Sequence, residues 1–120
     1  MLPKVYRLKS RKAFNATYKI GNSYHNGGIT LFCGKIKSEE QQKFPTKIGF
    51  VVSKKIHKRA VKRNRIKRLM RESVRLYIKS AGENFDTKYI SMIFVSSSKL
   101  LDKDFNHINN NIRELMEKIR

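Results

Sequence analysis

The chain lacks most of what would mark a secreted protein or a self-sufficient enzyme. It has one cysteine, Cys33. No disulfide can form within the chain, which fits a reducing cytoplasm, and no cysteine set is available to hold zinc. The three histidines, His25, His57 and His107, are far apart in sequence, and each reads as an ordinary surface or core residue. Acidic side chains number only 9. Six of them cluster at 83–86, 102–104 and 114–117, and no carboxylate pair stands among the basic segments to perform general acid–base chemistry. No glycine-rich phosphate loop occurs. No apolar run approaches the ~20 residues that span a bilayer. The N-terminal MLPKVYRLKSRK has no apolar segment of the kind a secretory signal needs.

Positive charge is what the chain has in excess. Lys and Arg total 28, for a net charge of +19 over 120 residues. Self-repulsion on that scale destabilises a compact domain unless a polyanion neutralises it. The charge is also segregated. Residues 1–71 carry 20 basic side chains against Glu39 and Glu40, whereas residues 72–120 carry 8 against 7. A solubilising surface intersperses the two signs, and segregation of this kind is the electrostatic footprint of a nucleic-acid binder.

The length suits one domain, residues 1–120. Residues 1–9 read as extended, because Pro3 disfavours helix before it. Ser10 is a candidate N-cap and Gly21 a candidate stop for a first helix, with Ala13, Phe14, Thr17 and Tyr18 on one face. ITLFCGKI, within residues 28–36, reads as a strand with Ile29, Leu31 and Cys33 on one side and Thr30 and Phe32 on the other. A polar loop, KSEEQQKFP, leads to a second strand, TKIGFVVS, and the two are expected to pair as an antiparallel hairpin. A short extra strand is expected near 22–27. A helix follows over about 60–79, ending before Gly82. Its apolar stripe is Ile66, Leu69, Met70, Ser73 and Tyr77, opposite Asn64, Arg65, Arg68, Arg71, Arg75 and Lys79. YISMIFV, at 89–95, is nearly all apolar and reads as a well-buried strand. Leu101, Phe105, Ile108, Ile112, Leu115 and Ile119 define a C-terminal amphipathic helix. The order predicts an α/β (α+β) sandwich: a small mixed sheet of about four strands, with helices mainly on one face.

Lys54 to Arg71, KKIHKRAVKRNRIKRLMR, has ten Lys or Arg among 18 residues and no acid. Solvated helical faces alternate signs to gain pairs one turn apart. Here like charges stack, and an external anion is needed to offset them. Five of the ten are Arg, whose planar fork matches a phosphate bidentately.

VSKKI (52–56) followed by AVKRNRIKRLMRE (60–72), with the triplet Arg63, Asn64 and Arg65 at its centre, resembles the signature of the bacterial ribonuclease P protein family. RLKSRKAFNATYKIG (7–21) is similar to that family's N-terminal pattern. After the Ile of VSKKI, many members have Gly and a small residue. This chain has Ile56-His57-Lys58-Arg59, longer by one residue and more basic, so no loop contact is carried over through 57–59. The resemblance implies a fold like that of some ribosomal proteins, with a left-handed β-α-β crossover where general rules would expect a right-handed one. It implies a catalytic RNA subunit that holds Mg²⁺ at its phosphates, with no metal or other cofactor held tightly by the protein. The partners it implies are ribonuclease P RNA, at one protein per RNA, and the 5′ leader of precursor tRNA, with no DNA and no membrane.

On that basis Lys62, Arg63, Asn64, Arg65, Lys67, Arg68 and Arg71 are the candidate RNA-subunit contacts. Phe14, Tyr18 and Phe32 are the candidate leader contacts, because rings on an open sheet face beside cations form a stacking platform for single-stranded bases. Lys54 and Lys55, at the end of the second strand, are placed with them. No protein catalytic residue is expected. A ribosomal or other structural RNA-binding protein would share this composition, and only the ordered Arg-Asn-Arg context separates the two. A polybasic membrane-surface protein would need a broad apolar helical face with Trp or Phe, which the narrow stripe of the 60–79 helix does not supply.

Overall fold

A computed structural model describes residues 6–35, 46–53, 55, 58–81 and 89–119. Helix α1 spans Arg11–Ile20, strand β1 Asn22–Asn26, β2 Ile29–Lys35, β3 Lys47–Val52, helix α2 Ala60–Ala81, strand β4 Tyr89–Ser96 and helix α3 Phe105–Lys118, with a 3-10 turn at Ser98–Leu100 before α3. The expected polar loop at 37–45, the stop at Gly82 and residues 1–5 lie outside the described residues.

The local signals act as their chemistry dictates. Ser10 caps α1 by accepting from the Ala13 N–H at 3.4 Å, and the Gly21 N–H closes the helix on the Thr17 carbonyl at 2.9 Å. Asp104 caps α3 by accepting from the His107 N–H at 3.0 Å. β1 and β2 form a hairpin whose two-residue turn, Gly27-Gly28, has φ of 54° and 92°. Tight hairpin turns that match strand twist need this left-handed backbone, which glycine adopts without strain.

The expected hairpin between the second and third strands does not form. The sheet order is β1-β2-β4-β3. β4 runs antiparallel to β2 and parallel to β3 and separates them. The reason lies in β4 itself, where Met92, Ile93 and Phe94 are all fully buried. A strand apolar on both faces is stable only inside a sheet covered on both sides. A β2–β3 hairpin would leave β4 at an edge. The β3–α2–β4 segment is therefore a parallel crossover unit. Outside β3, the backbone at Arg7 bridges to Ile48 and the Leu8 N–H bonds the Ile48 carbonyl at 2.9 Å.

Ile29, Leu31 and Cys33 of β2 join Ile48, Met92 and Phe94 on one face of the sheet. Helices α2 and α3 cover that face with Ile66, Met70, Val74, Ile108, Ile112 and Leu115. Val74 belongs to the buried stripe alongside the expected Ile66, Met70 and Ser73. Helix α1 crosses the other face.

Candidate nucleic-acid interface

Helix α1 is fixed to the second sheet face at three points, one on each of three strands. Over β3, Phe14 lies directly on Gly49: a methyl added to Gly49 would sit 2.5 Å from Phe14 Cζ. Over β4, the buried Thr17 and Ser91 hydroxyls share a short hydrogen bond. Thr17 spends its own proton on the Ala13 carbonyl at 2.7 Å, so Ser91 donates to Thr17. Over β2, the Tyr18 ring meets Phe32 edge-on, with centroids 4.9 Å apart and planes at 80°. Burial raises the Tyr18 phenol above its ordinary value. Phe32 is half-buried and Tyr18 is 38% exposed, so the pair forms a surface that opens to solvent.

Beyond α1 the same face continues as Thr30, Val95 and Val51, side by side on β2, β4 and β3 and each half-buried. Lys55 follows β3 at this open end and is exposed. Lys54 lies outside the described residues.

Sequence reasoning missed a groove of about 310 Å³ that opens beside Phe14. It is lined by Arg7, Leu8, Lys9, Phe14, Ile48, Gly49, Phe50, Lys67 and Arg71. Phe50 stacks on Phe94, with centroids 5.7 Å apart and planes at 14°. Four cations thus surround an aromatic slot at the β3 edge. The RLK run before Ser10 was the available signal, but it could not be assigned to a site until the 7–8 segment was seen to pair with β3.

The basic helix divides its charges four ways, rather than presenting them all on the half opposite the apolar stripe. Lys67 and Arg71 flank the core on the β3 side and reach the Phe14 groove. Arg65 leans to the other side, where its guanidinium donates to the Lys103 carbonyl ahead of α3 at 3.0 Å. Arg63 folds back on the Lys58 carbonyl at 2.9 Å. Lys62, Asn64 and Arg68 are exposed. The basic run ends where Glu72 takes Arg75 in a bidentate pair at 2.6 and 3.1 Å. The Arg75 hydrogen bond holds the Glu72 carboxyl below its ordinary value.

Among the described residues no group of three or more His, Cys, Asp and Glu could hold a metal ion, and no described helix is long and apolar enough to cross a membrane. Burial pushes the Cys33 thiol up to about 12, which makes it a poor nucleophile.

An aromatic slot and sheet face beside a dense basic helix suit single-stranded RNA, and comparison with known proteins names the family. The ribonuclease P family model matches residues 2–120. The chain belongs to the ribonuclease P protein family. It is 35% identical over 117 residues to the ribonuclease P protein component of Symbiobacterium thermophilum, covering 98% of this chain and 93% of that one. It is 30% identical over 118 residues to that of a Synechococcus strain, covering 98% and 84%. Among solved structures, a Staphylococcus aureus ribonuclease P protein mutant matches with a TM-score of 0.76 and 27% identity, covering 96% of this chain and 88% of that one. The Thermotoga maritima ribonuclease P protein shares the fold, with a TM-score of 0.72 at 23% identity, covering 95% and 97%. As a ribonuclease P protein component, the chain serves tRNA processing within a ribonucleoprotein endoribonuclease whose RNA is its partner. Nothing favours the ribosomal alternative.

Proposed function

We propose that this ribonuclease P protein binds the single-stranded 5′ leader of precursor tRNA across the α1 face of its sheet, docks on the RNA subunit through α2, and leaves bond cleavage to that RNA. The observation that carries the reading is the Tyr18–Phe32 pair on a half-open face, continued by the Phe14 groove with Arg7, Lys9, Lys67 and Arg71 around it. Rings stack on bases of any identity, and cations track the phosphates. Lys62, Asn64 and Arg68 are free of the core and are the outward contacts to the RNA subunit, with Arg63 and Arg65 presented from anchored positions. Lys67 and Arg71 serve the boundary between RNA subunit and leader, rather than the RNA subunit alone. Lys55 follows the open end of the face, and Lys54, its neighbour in sequence, is assigned to the leader with it. Mg²⁺ would be held by RNA phosphates, with one protein per RNA acting in the cytoplasm.

Reconstitution tests this. The protein mixed with ribonuclease P RNA in low Mg²⁺ should support cleavage of precursor tRNA at the mature 5′ end, whereas the protein alone should give none. Cleavage by RNA-free protein would overturn the division of labour. Equal affinity of the holoenzyme for precursor and leaderless tRNA would overturn the leader site.

A further inference from the structure

The second sheet face does not stop at Phe32. The register pairs His25 of β1 with Thr30 of β2, on the side of the sheet that carries Phe32. Thr30 Oγ1 and His25 Nδ1 are hydrogen-bonded at 2.8 Å. This fixes the imidazole on the strand and leaves Nε2 as its remaining polar atom. Beside them, Gly27 and Gly28 turn the hairpin against the segment after β4. A methyl on Gly28 would come 3.0 Å from Ser97 Oγ and 3.2 Å from Lys99 Cβ. The Ser97 hydroxyl accepts from the Lys99 N–H at 3.3 Å and sets the backbone from which the exposed Lys99 side chain leaves. Lys99 makes no ion pair among the described residues. These residues line a second groove of about 470 Å³, separate from the one beside Phe14.

The positions across the sheet form a line. Phe14 lies over β3, the Tyr18–Phe32 pair over β2, and the His25 groove at β1, the edge strand farthest from β3. Thr30 is one side-chain repeat along β2 from Phe32, roughly 7 Å. Helix α2, which carries the basic run, packs against β3 and makes no comparable contact with β1. A strand that enters from the RNA-subunit side therefore meets Phe14 first and the hairpin last.

We propose that the groove of His25, Thr30, Ser97 and Lys99 is a further leader subsite, which takes the ribonucleotide lying beyond those stacked on Phe32 and Tyr18, farther from the cleavage point. Lys99 meets its phosphodiester, and the free imidazole nitrogen and the hydroxyls meet a phosphate oxygen or base edge. The subsite rests on the leader reading above and extends the leader path by one position.

The test uses reconstituted holoenzyme and precursor tRNAs whose leaders are shortened one nucleotide at a time. With the wild-type protein, affinity should rise with leader length to a plateau. His25→Ala combined with Lys99→Ala should bind short-leader precursors as the wild type does. It should lose only the last increment, about two- to tenfold, the worth of one net hydrogen bond or phosphate contact, so that the plateau comes at a shorter leader. Both residues are exposed, and an unchanged melting temperature checks that the fold is intact. An unchanged plateau and long-leader affinity in the double variant would overturn the subsite while leaving the Phe32 site standing. A uniform loss at every length, leaderless tRNA included, would also overturn it. A wild-type affinity indifferent to leader length would overturn the leader reading itself.

Discussion

Phe32→Ala is the most discriminating single change, because the packing of Phe32 and its proposed leader contact carry separable energies. A fully buried Phe truncated to Ala costs about 3–5 kcal/mol. Phe32 is only half-buried, which scales that cost to about 1.5–2.5 kcal/mol. Part of this is the edge-on contact with Tyr18 at 4.9 Å, a geometry worth about 0.5–1.5 kcal/mol beyond its area. At this chain length the loss should lower the melting temperature by about 5–10 °C. In the proposed function the exposed part of the ring stacks on a leader base, and its removal should cost about 1–3 kcal/mol of precursor affinity. Two measurements separate the roles: thermal unfolding of the free protein, and holoenzyme affinity for precursor and mature tRNA below the melting transition. The expected pattern is a moderate stability loss, a roughly 5- to 150-fold loss on precursor and almost none on mature tRNA. Tyr18→Ala should show the same discrimination with a smaller stability loss, since Tyr18 is more exposed. Equal losses on both tRNAs would refute the reasoning and leave Phe32 as a packing residue.

Four further outcomes are expected. Gly49→Ala drives a methyl into Phe14 and should cost about 1–3 kcal/mol of stability by overpacking; precursor affinity should fall with it, and calorimetry and binding both unchanged would contradict the contact. Thr17→Val strips the buried Ser91 hydroxyl of its acceptor and should cost about 1–3 kcal/mol. Adding Ser91→Ala should recover part of that in denaturant titrations, and no recovery would count against the pairing. Arg68→Ala should lower the salt slope of RNA-subunit binding by about one at unchanged melting temperature, whereas Arg65→Ala should also lower stability, because its guanidinium ties α2 to the Lys103 carbonyl. An unchanged slope for Arg68→Ala would make that residue merely solvated. Cys33 should resist thiol reagents until the protein unfolds. Its thiol ionises near 9.0 when unfolded and at about 12 when folded, so stability should fall as pH rises through that window, and Cys33→Ala should flatten the fall.

Much of this was legible in the chain because it depends on short-range chemistry. Ser10, Gly21, the alternation of Ile29, Leu31 and Cys33, and the 3–4 residue spacing of α3 each fix a local conformation through neighbours a few residues away. The charge segregation and the Arg63-Asn64-Arg65 context were enough to indicate an RNA partner, since phosphate affinity follows from local charge density. What the chain could not settle was which distant elements meet. Two adjacent strand patterns look like a hairpin, yet β4, which follows only after the whole of α2, takes the place between them because both of its faces need burial. That choice puts Arg7 and Lys9 with Lys67 and Arg71 around Phe14. It also turns Arg65 toward α3 and carries the Phe32 face on to His25 and Lys99. Periodicity tells which side of a helix or strand is apolar, but only the packing of one element on another decides what each polar side faces.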